Sequence, residues 1–373
     1  MENKPIIGII ETMFAMLLFL LGSSVILGLN LTAEKASWIV SLAAGGAGLL
    51  LFHIYVYLWK NNDYGNLALI LKKNMGKFLG MAASLLYVLY FAYLASRVLA
   101  DFTMFINSTL LYTMSPFFIK FSIFLVVAYT YVKGLEAFIR SAVIIGSVTL
   151  LFILLIPIWI LISGTFHWEY IDPIFDMDFN NIIKVLPTMV TFPFGELIAF
   201  VMIFPYLNHE HRSAVSKNGN MMIIFFTILL SLISFLTIGV LHPELAKNYT
   251  FPIINAIEGV TLFDFIKRLD VFAVIIIIFG GYFKIAIFTF ASINLAKTTM
   301  NKVKPKLLTV SILMVILLLS YPYAENLSQH LEVGLKYVPL LIHLPLAILL
   351  PIFIMFITFV KKRRRNSRLS EPS

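Results

Sequence analysis

The six residues TFPFGE at positions 191–196 interrupt an apolar run that extends from residue 181 to residue 207. Proline lacks a backbone N–H and glycine is flexible, so a membrane-spanning helix is expected to break here. A second apolar run, 6–29, is interrupted by GSS at positions 22–24. Breaks at corresponding positions in the two halves of a membrane protein are typical of a transporter-type site. Each break alone could also be an ordinary packing kink. Breaks at corresponding positions of both halves favour a transporter-type site over packing kinks.

The composition is that of a membrane protein. Of the 373 residues, 60% are hydrophobic and 13% are charged, whereas soluble domains carry about 25% charged residues. Each apolar run is long enough to cross about 30 Å of hydrocarbon. The first run is too long for the core of a signal peptide, so we expect it to be retained. The sequence predicts ten spans, at residues 6–29, 36–59, 78–105, 117–132, 138–162, 181–207, 218–240, 270–296, 306–322 and 335–360.

Ten spans divide into two halves of five, and an odd number per half reverses the direction of the second half. We therefore predict an all-α integral membrane protein with a five-plus-five inverted repeat, in which spans one and six are broken. The predicted transmembrane domain covers residues 1–360, with repeats at about 6–162 and 181–360. A basic cytoplasmic tail, 361–373, is predicted to be disordered.

The distribution of charge indicates orientation rather than binding to nucleic acid. The net charge is +9, and most of the 28 Lys and Arg residues lie in segments on the side that holds both termini. The positive-inside rule therefore places both termini in the cytoplasm. We expect the basic tail to contact anionic lipid of the bilayer.

Two ionisable side chains lie near the middle of predicted spans, Glu196 in span six and Lys284 in span eight. Such a group costs at least about 2.5–3.5 kcal/mol at the bilayer centre, so each needs a partner or a role. We predict that both face the same polar interior; the sequence leaves open whether they pair. In one hypothesis the Lys284 ammonium takes the place of a sodium ion and makes the protein sodium-independent. In the other it only ties helices together through carbonyl groups.

Span three carries a polar stripe at helical spacing, formed by Tyr90, Tyr93 and Arg97. Asp101 lies four residues after Arg97 on the same helix face, where the two charges can neutralise each other. The stripe fits either packing or contact with a ligand, and both interpretations stay open. The histidines of the chain are isolated singles apart from residues 209–211, which are expected to form a solvated connection.

The remaining motifs do not indicate an enzyme. No glycine-rich phosphate loop, serine-nucleophile elbow or metalloprotease pattern is present, so no catalytic residue, metal or cofactor is predicted. Two longer outer connections, 163–180 and 242–269, are each expected to hold a short helix on the membrane surface. The segment 252–259 has the composition of one.

Five short segments carry a resemblance to a known family. They are Gly22-Ser23-Ser24 with Gly28; Ala95-Ser96-Arg97-Val98-Leu99 with Asp101-Phe102; Lys133-Gly134-Leu135-Glu136 with Arg140; Pro193-Phe194-Gly195-Glu196 with Pro205-Tyr206; and Gly280-Gly281-Tyr282-Phe283-Lys284. In this order and spacing they resemble the spore-germination permease family, the B subunits of nutrient germinant receptors of endospore-forming bacteria. The resemblance covers about residues 5–360. It implies the amino acid–polyamine–organocation superfamily, whose members have the LeuT-like inverted-repeat fold.

The resemblance implies a subunit of the inner spore membrane that binds a small nutrient, often an amino acid, and helps to trigger germination. The implied partners are a larger A subunit and a lipoprotein C subunit. The implied ligand site comprises Gly22, Ser23 and Ser24 of span one, Tyr93 and Arg97 of span three, Phe192, Pro193, Phe194, Gly195 and Glu196 of span six, and Lys284 of span eight. The alternative function is a sodium-independent amino-acid permease in which Glu196 carries a proton.

Overall fold

The structure, a computed structural model, describes residues 6–172, 178–260, 269–321, 330 and 332–370, and these residues are predominantly helical. The end of predicted span nine, parts of both outer connections and the last three residues of the tail lie outside the described residues.

The helices follow the predicted spans. In chain order the α-helices are α1 (Ile9–Leu27), α2 (Ser37–Asn61), α3 (Leu67–Thr109), α4 (Pro116–Lys133), α5 (Leu135–Ser163), α6 (Phe179–Met189), α7 (Val215–Leu241), α8 (Pro243–Asn248), α9 (Pro252–Glu258), α10 (Asp270–Thr299), α11 (Pro305–Leu319) and α12 (Leu350–Ser370). Span six continues after α6 as a π-helical turn, Val190–Phe194, and a 3-10 helix, Gly195–Met202. Span ten begins with two π-helical segments, Val333–Tyr337 and Pro339–Leu349, which lead into α12.

Eight helical segments of the described chain are long and apolar enough to cross a membrane, by length and composition. Two shorter apolar helices, Ile9–Val25 and Pro305–Leu319, occupy the positions of predicted spans one and nine. The described residues thus have the architecture of a multi-pass membrane protein. The count of ten spans in a five-plus-five repeat stays a prediction.

The two predicted helix breaks are confirmed. The backbone of α1 leaves helical geometry at Gly22, with φ −29° and ψ −117°. In span six the backbone leaves it at Phe192, with φ −134° and ψ 116°. Both positions depart from helical dihedral angles, as expected where glycine or a neighbouring proline interrupts a helix.

The break in α1 packs against α10, and α10 contacts both α1 and α3 along its length. A Cβ atom added at Gly280 of α10 would lie 2.8 Å from the backbone nitrogen of Gly22. A Cβ added at Gly22 would lie 2.9 Å from the Lys284 Cδ atom. Glycine at both positions therefore allows a backbone contact that a larger residue would prevent, and this contact places Lys284 beside the break.

The third predicted span is part of a longer, bent helix. The helix α3 begins at Leu67, whereas the sequence predicts a span from residue 78. It bends at Gly76, whose φ of 81° lies in the region that favours glycine. The segment 67–75 therefore forms an arm at the predicted inner side, ahead of the span proper.

Polar side chains hold this arm against two other helices. The Asn74 side chain donates to Oδ1 of Asn62, the residue directly after α2, at 2.8 Å. Asn74 Oδ1 accepts a hydrogen bond from Thr358 of α12 at 3.1 Å. Lys361 donates to the Asn74 carbonyl at 3.0 Å. Since α12 continues to Ser370, residues 361–370 are helical where the sequence predicts disorder.

The segment 252–259 is helical over Pro252–Glu258, as predicted, but its apolar residues are buried. Ile253 and Ile257 belong to the main hydrophobic core. This helix packs against α1, α7 and α10 and thereby covers part of the predicted outer end of the bundle.

Candidate functional site

A buried ion pair lies where the broken part of span six meets α10. The Lys284 Nζ atom lies 2.6 Å from Glu196 Oε2, and the two side chains are 0% and 1% exposed. Lys284 Nζ also lies 4.2 Å from the centroid of the Phe192 ring, a cation–π distance. The sequence left open whether Glu196 and Lys284 pair, and the structure shows that they do. The pair joins the break in span six to α10, the helix that contacts the break in α1.

The polar stripe of span three ends in a second buried cluster. Arg97 Nη2 donates to the His330 carbonyl at 2.8 Å. His330 Nε2 lies 2.5 Å from Asp101 Oδ1. Thus one residue that precedes span ten contacts both charged residues of α3, whereas the sequence suggested only that Arg97 and Asp101 neutralise each other.

Glycine at position 334 makes room for the arginine of this cluster. A Cβ atom there would lie 2.2 Å from Arg97 Nη2. The guanidinium group therefore lies directly on the backbone of Gly334, at the start of span ten.

A small cavity separates the two clusters. Its volume is about 40 Å³, which is room for about three water molecules. Side chains from four spans surround it: Leu27, Leu29, Leu94, Arg97, Val98, Asp101, Thr188, Phe192, Glu196, Gly334, Leu335, Val338 and His343. Its walls therefore carry a guanidinium group, two carboxylates and an imidazole among mainly apolar groups.

The predicted site residues divide into three groups around this cavity. Arg97, Phe192 and Glu196 line it. Tyr93 lies in a separate groove between α3 and span ten. The others are buried away from the cavity lining: Gly22, Ser23, Ser24, Pro193, Phe194, Gly195 and Lys284. The role of each residue in binding stays a prediction.

The sequence interpretation missed the contribution of span ten. His343 lines the cavity, and His330 contacts Arg97 and Asp101. As isolated histidines in different segments they carry no local signal. The signal appears only when their distances to Tyr90 and Asp101, 253 and 229 residues away in sequence, are known.

A larger vestibule lies on the predicted outer side of the cavity. Its volume is about 570 Å³, and it shares Leu27, Leu29, Thr188 and Leu335 with the cavity lining. Lys247 lines this vestibule and lies 2.6 Å from Glu34 Oε1. The hydrogen bond and charge of Glu34 raise the pKa of the Lys247 amine. The four residues shared by the two linings form a thin, mainly apolar layer between the cavity and the vestibule.

Aromatic packing closes the opposite, predicted inner side. The ring centroid of Phe19 lies 5.3 Å from that of Phe200 and 5.0 Å from that of Phe288. Phe204 continues this layer, 5.3 Å from the centroid of Trp59. Packed aromatic rings therefore close the predicted inner side of the site, whereas the residues shared with the vestibule lie on the predicted outer side.

A helical membrane bundle with two broken helices beside a charged cavity defines the class of transporter-fold membrane proteins. In agreement, the chain resembles the crystal structure of MhsT in complex with L-phenylalanine, a protein of the LeuT fold. The TM-score is 0.57, with 96% of this chain and 99% of that chain covered. At 12% sequence identity, the likeness concerns the fold alone.

Residues 6–328 match the family described as spore germination protein. Spore germination protein KB of Bacillus subtilis (strain 168) is 32% identical over 373 residues, which cover 100% of this chain and 99% of that protein. The chain therefore belongs to the spore-germination permease family, as its five sequence segments indicated.

Proposed function

We propose that this protein is the nutrient-binding membrane subunit of a germinant receptor, and that a small amino acid binds in the central cavity. Binding biases the equilibrium between states open to the two sides of the membrane, and partner subunits respond to that bias. For this switch to work, the ligand must bind one state more tightly than the other.

The observation that supports this proposal best is the balance of charge around the cavity. Arg97, Asp101 and Glu196 line the cavity, and Lys284 pairs with Glu196 directly behind it. The formal charges of these four side chains cancel, so a ligand with no net charge adds none to a water-poor site. A zwitterionic amino acid meets this condition and also offers donors and acceptors for the polar walls.

The small volume supports a small ligand. Even glycine has more non-hydrogen atoms than about three water molecules, so the layer that contains Leu27 and Leu335 must move when an amino acid binds, and it must move least for a small one. In the receptor proposal the vestibule is the entry route, and the ligand contacts the cavity residues Arg97, Phe192 and Glu196. The buried backbone at Gly22–Ser24 acts by holding α10 in place.

We also propose the membrane location, the topology and the partner subunits that the sequence predicts. The protein lies in the inner spore membrane with both termini in the cytoplasm, and its ten spans form a five-plus-five inverted repeat in residues 1–360. It assembles with an A subunit and a lipoprotein C subunit. Co-purification of these two subunits with the tagged chain from spore membranes tests the assembly.

The test of function compares the response of spores with uptake by vesicles. Spores that lack this chain are complemented with it and exposed to each standard amino acid, and the loss of optical density is followed. In parallel, vesicles that contain this chain alone are tested for accumulation of the same amino acids with a radioactive label. A response restored by complementation, without accumulation in vesicles, is expected of the receptor subunit.

The alternative is a sodium-independent permease in which Glu196 carries a proton. It is favoured by the position of the Glu196–Lys284 pair in the membrane interior. This alternative predicts accumulation that depends on a pH gradient, and such accumulation by the isolated chain would contradict a purely sensory role. Stimulation of binding by sodium would contradict the hypothesis that the Lys284 ammonium replaces a sodium ion.

A further inference from the structure

His343 of span ten forms a part of the cavity wall to which the sequence assigned no role. The residue lines the cavity, although only 3% of its surface is exposed. It lies in the π-helical segment Pro339–Leu349 and faces α3. The question is whether this imidazole only joins two helices or also contacts what enters the cavity.

The ring is held in one orientation by Tyr90. The Tyr90 hydroxyl lies 2.7 Å from His343 Nδ1, and the ring centroids are 5.7 Å apart with an interplanar angle of 79°. A phenol is a good donor, so Nδ1 is assigned as the acceptor and the ring proton is placed on Nε2.

The second ring nitrogen has no hydrogen-bond partner among the residues that the structure describes. The imidazole lines the cavity, so a polar group that enters the cavity can serve as the partner of this nitrogen. An imidazole that Tyr90 holds in one orientation and that forms part of a cavity wall is the arrangement expected of a group that binds a ligand.

We propose that His343 is a ligand-binding residue whose Nε2–H donates a hydrogen bond to a carboxylate or hydroxyl oxygen of the ligand. This inference rests on the proposed function and extends it to the chemistry of the ligand. Arg97 supplies a second donor to the same cavity, and Glu196 supplies an acceptor for an ammonium or hydroxyl group. The site therefore takes a small molecule without net charge that carries an acceptor oxygen at one end.

A purely structural role for the histidine is the competing explanation, and the chain contains a suitable control. Tyr87, one turn before Tyr90, donates from its hydroxyl to the Leu346 carbonyl at 2.6 Å. It joins the same two spans but does not line the cavity. Tyr87→Phe therefore removes an equivalent link between the spans without removing a group from the cavity.

The experiment measures binding to the purified full-length chain in lipid nanodiscs by isothermal titration. The probes are L-alanine first and then the other standard amino acids, and the tightest is used with the variants. His343→Gln can place an amide N–H near the position of Nε2, whereas His343→Asn places its amide near Nδ1. We expect the Gln variant to bind within about threefold of the unmodified chain and the Asn variant to bind at least about tenfold more weakly.

A double variant separates folding from binding. Tyr90→Phe combined with His343→Leu removes both partners of the buried hydrogen bond, which is often nearly neutral for stability. This chain should elute as a folded particle from a size-exclusion column and still bind the probe at least about tenfold more weakly. Tyr87→Phe should bind like the unmodified chain.

One result would contradict the proposed function, and a different result would contradict only the role of His343. If the unmodified chain binds no amino acid, the proposed function is wrong and this inference falls with it. If the unmodified chain binds an amino acid and the Asn, Gln and double variants bind it equally tightly, the proposed function stands and the role of His343 is wrong.

Discussion

At the scale of single residues, the Glu196–Lys284 pair is the most constrained feature of the protein. Both charges are removed from solvent, and their separation is 2.6 Å. Desolvation makes such a pair a weak source of net stability, while removal of one partner leaves an uncompensated charge. The pair therefore acts mainly to hold the broken part of span six against α10.

Replacement of one partner tests this interpretation. Glu196→Gln should lower the free energy of unfolding by about 3–5 kcal/mol, because Lys284 stays buried without its counter-charge. The measurement is thermal unfolding of the purified chain, together with the germination response of complemented spores, which should be lost. Glu136→Gln is the control, because its pair with Arg140 at 2.7 Å is exposed and is worth at most about 1 kcal/mol.

The paired replacement distinguishes stability from function. Glu196→Leu combined with Lys284→Met should recover most of the lost stability, since an apolar pair has no desolvation cost. The germination response should remain absent. A normal response of either variant would remove Glu196 from the ligand site.

The position of the Arg97 guanidinium group depends on the absence of a side chain at Gly334. Gly334→Ala places a Cβ atom 2.2 Å from the position of Arg97 Nη2, so the guanidinium group must move away from His330 and the cavity. We expect at least about a tenfold weaker response to nutrient, measured as the concentration for half-maximal germination. Gly46→Ala is the matched control, because a Cβ there meets nothing within 4 Å. Equal responses of both variants would contradict a role for Arg97 in binding.

At the scale of helices, the contact of α1 with α10 determines how the two breaks are related. Two glycines, Gly22 and Gly280, bring the backbones together, and this places Lys284 within reach of Glu196. The functional geometry of span six thus depends on packing between two other helices.

A methyl group at this contact tests the dependence. Gly280→Ala introduces a Cβ atom 2.8 Å from the backbone nitrogen of Gly22, so α1 and α10 must separate. Overpacking of this kind costs about 1–3 kcal/mol, which a shift of the thermal unfolding midpoint would report. Gly259→Ala provides the comparison, because a Cβ there meets no atom within 4 Å. Unchanged stability of the Gly280 variant would mean that the contact is loose.

At the scale of the whole molecule, the two sides of the cavity are closed to different depths. The outer vestibule of about 570 Å³ reaches Leu335, which also lines the cavity. Toward the predicted inner side, Phe200 lies among packed aromatic rings and is 0% exposed. On the predicted topology, the structure therefore corresponds to a state that is closer to opening outward than inward.

Accessibility to a thiol reagent measures this asymmetry. The chain contains no cysteine, so single cysteines can be introduced without a background. A membrane-impermeant maleimide added to the outer side of sealed vesicles should label Leu335→Cys and leave Phe200→Cys unlabelled. Lys362→Cys reports vesicle integrity, since it should be labelled only after permeabilisation. The opposite pattern would reverse the assignment of the open side.

The sequence alone determined the membrane class, the approximate bounds of the helices and the positions of the two breaks. Apolar length and the backbone sterics of Gly22 and Pro193 act over a few residues, so they can be recognised without knowledge of the fold. The sequence also predicted that Glu196 and Lys284 lie at similar depth, because the rise per residue is constant, and their ion pair confirms that they meet. The bend at Gly76 and the helical tail were not predicted, because contacts with distant helices stabilise them.

Only the tertiary structure decided which of these residues share a cavity. Span ten packs beside α3, and this brings His343 to Tyr90 and His330 to Arg97 and Asp101. The same packing leaves Gly22–Ser24 buried behind the cavity rather than on its wall. The physical reason is that a break is a local property of the backbone, whereas a binding surface depends on which helix faces meet, and residues far apart in the chain determine that together.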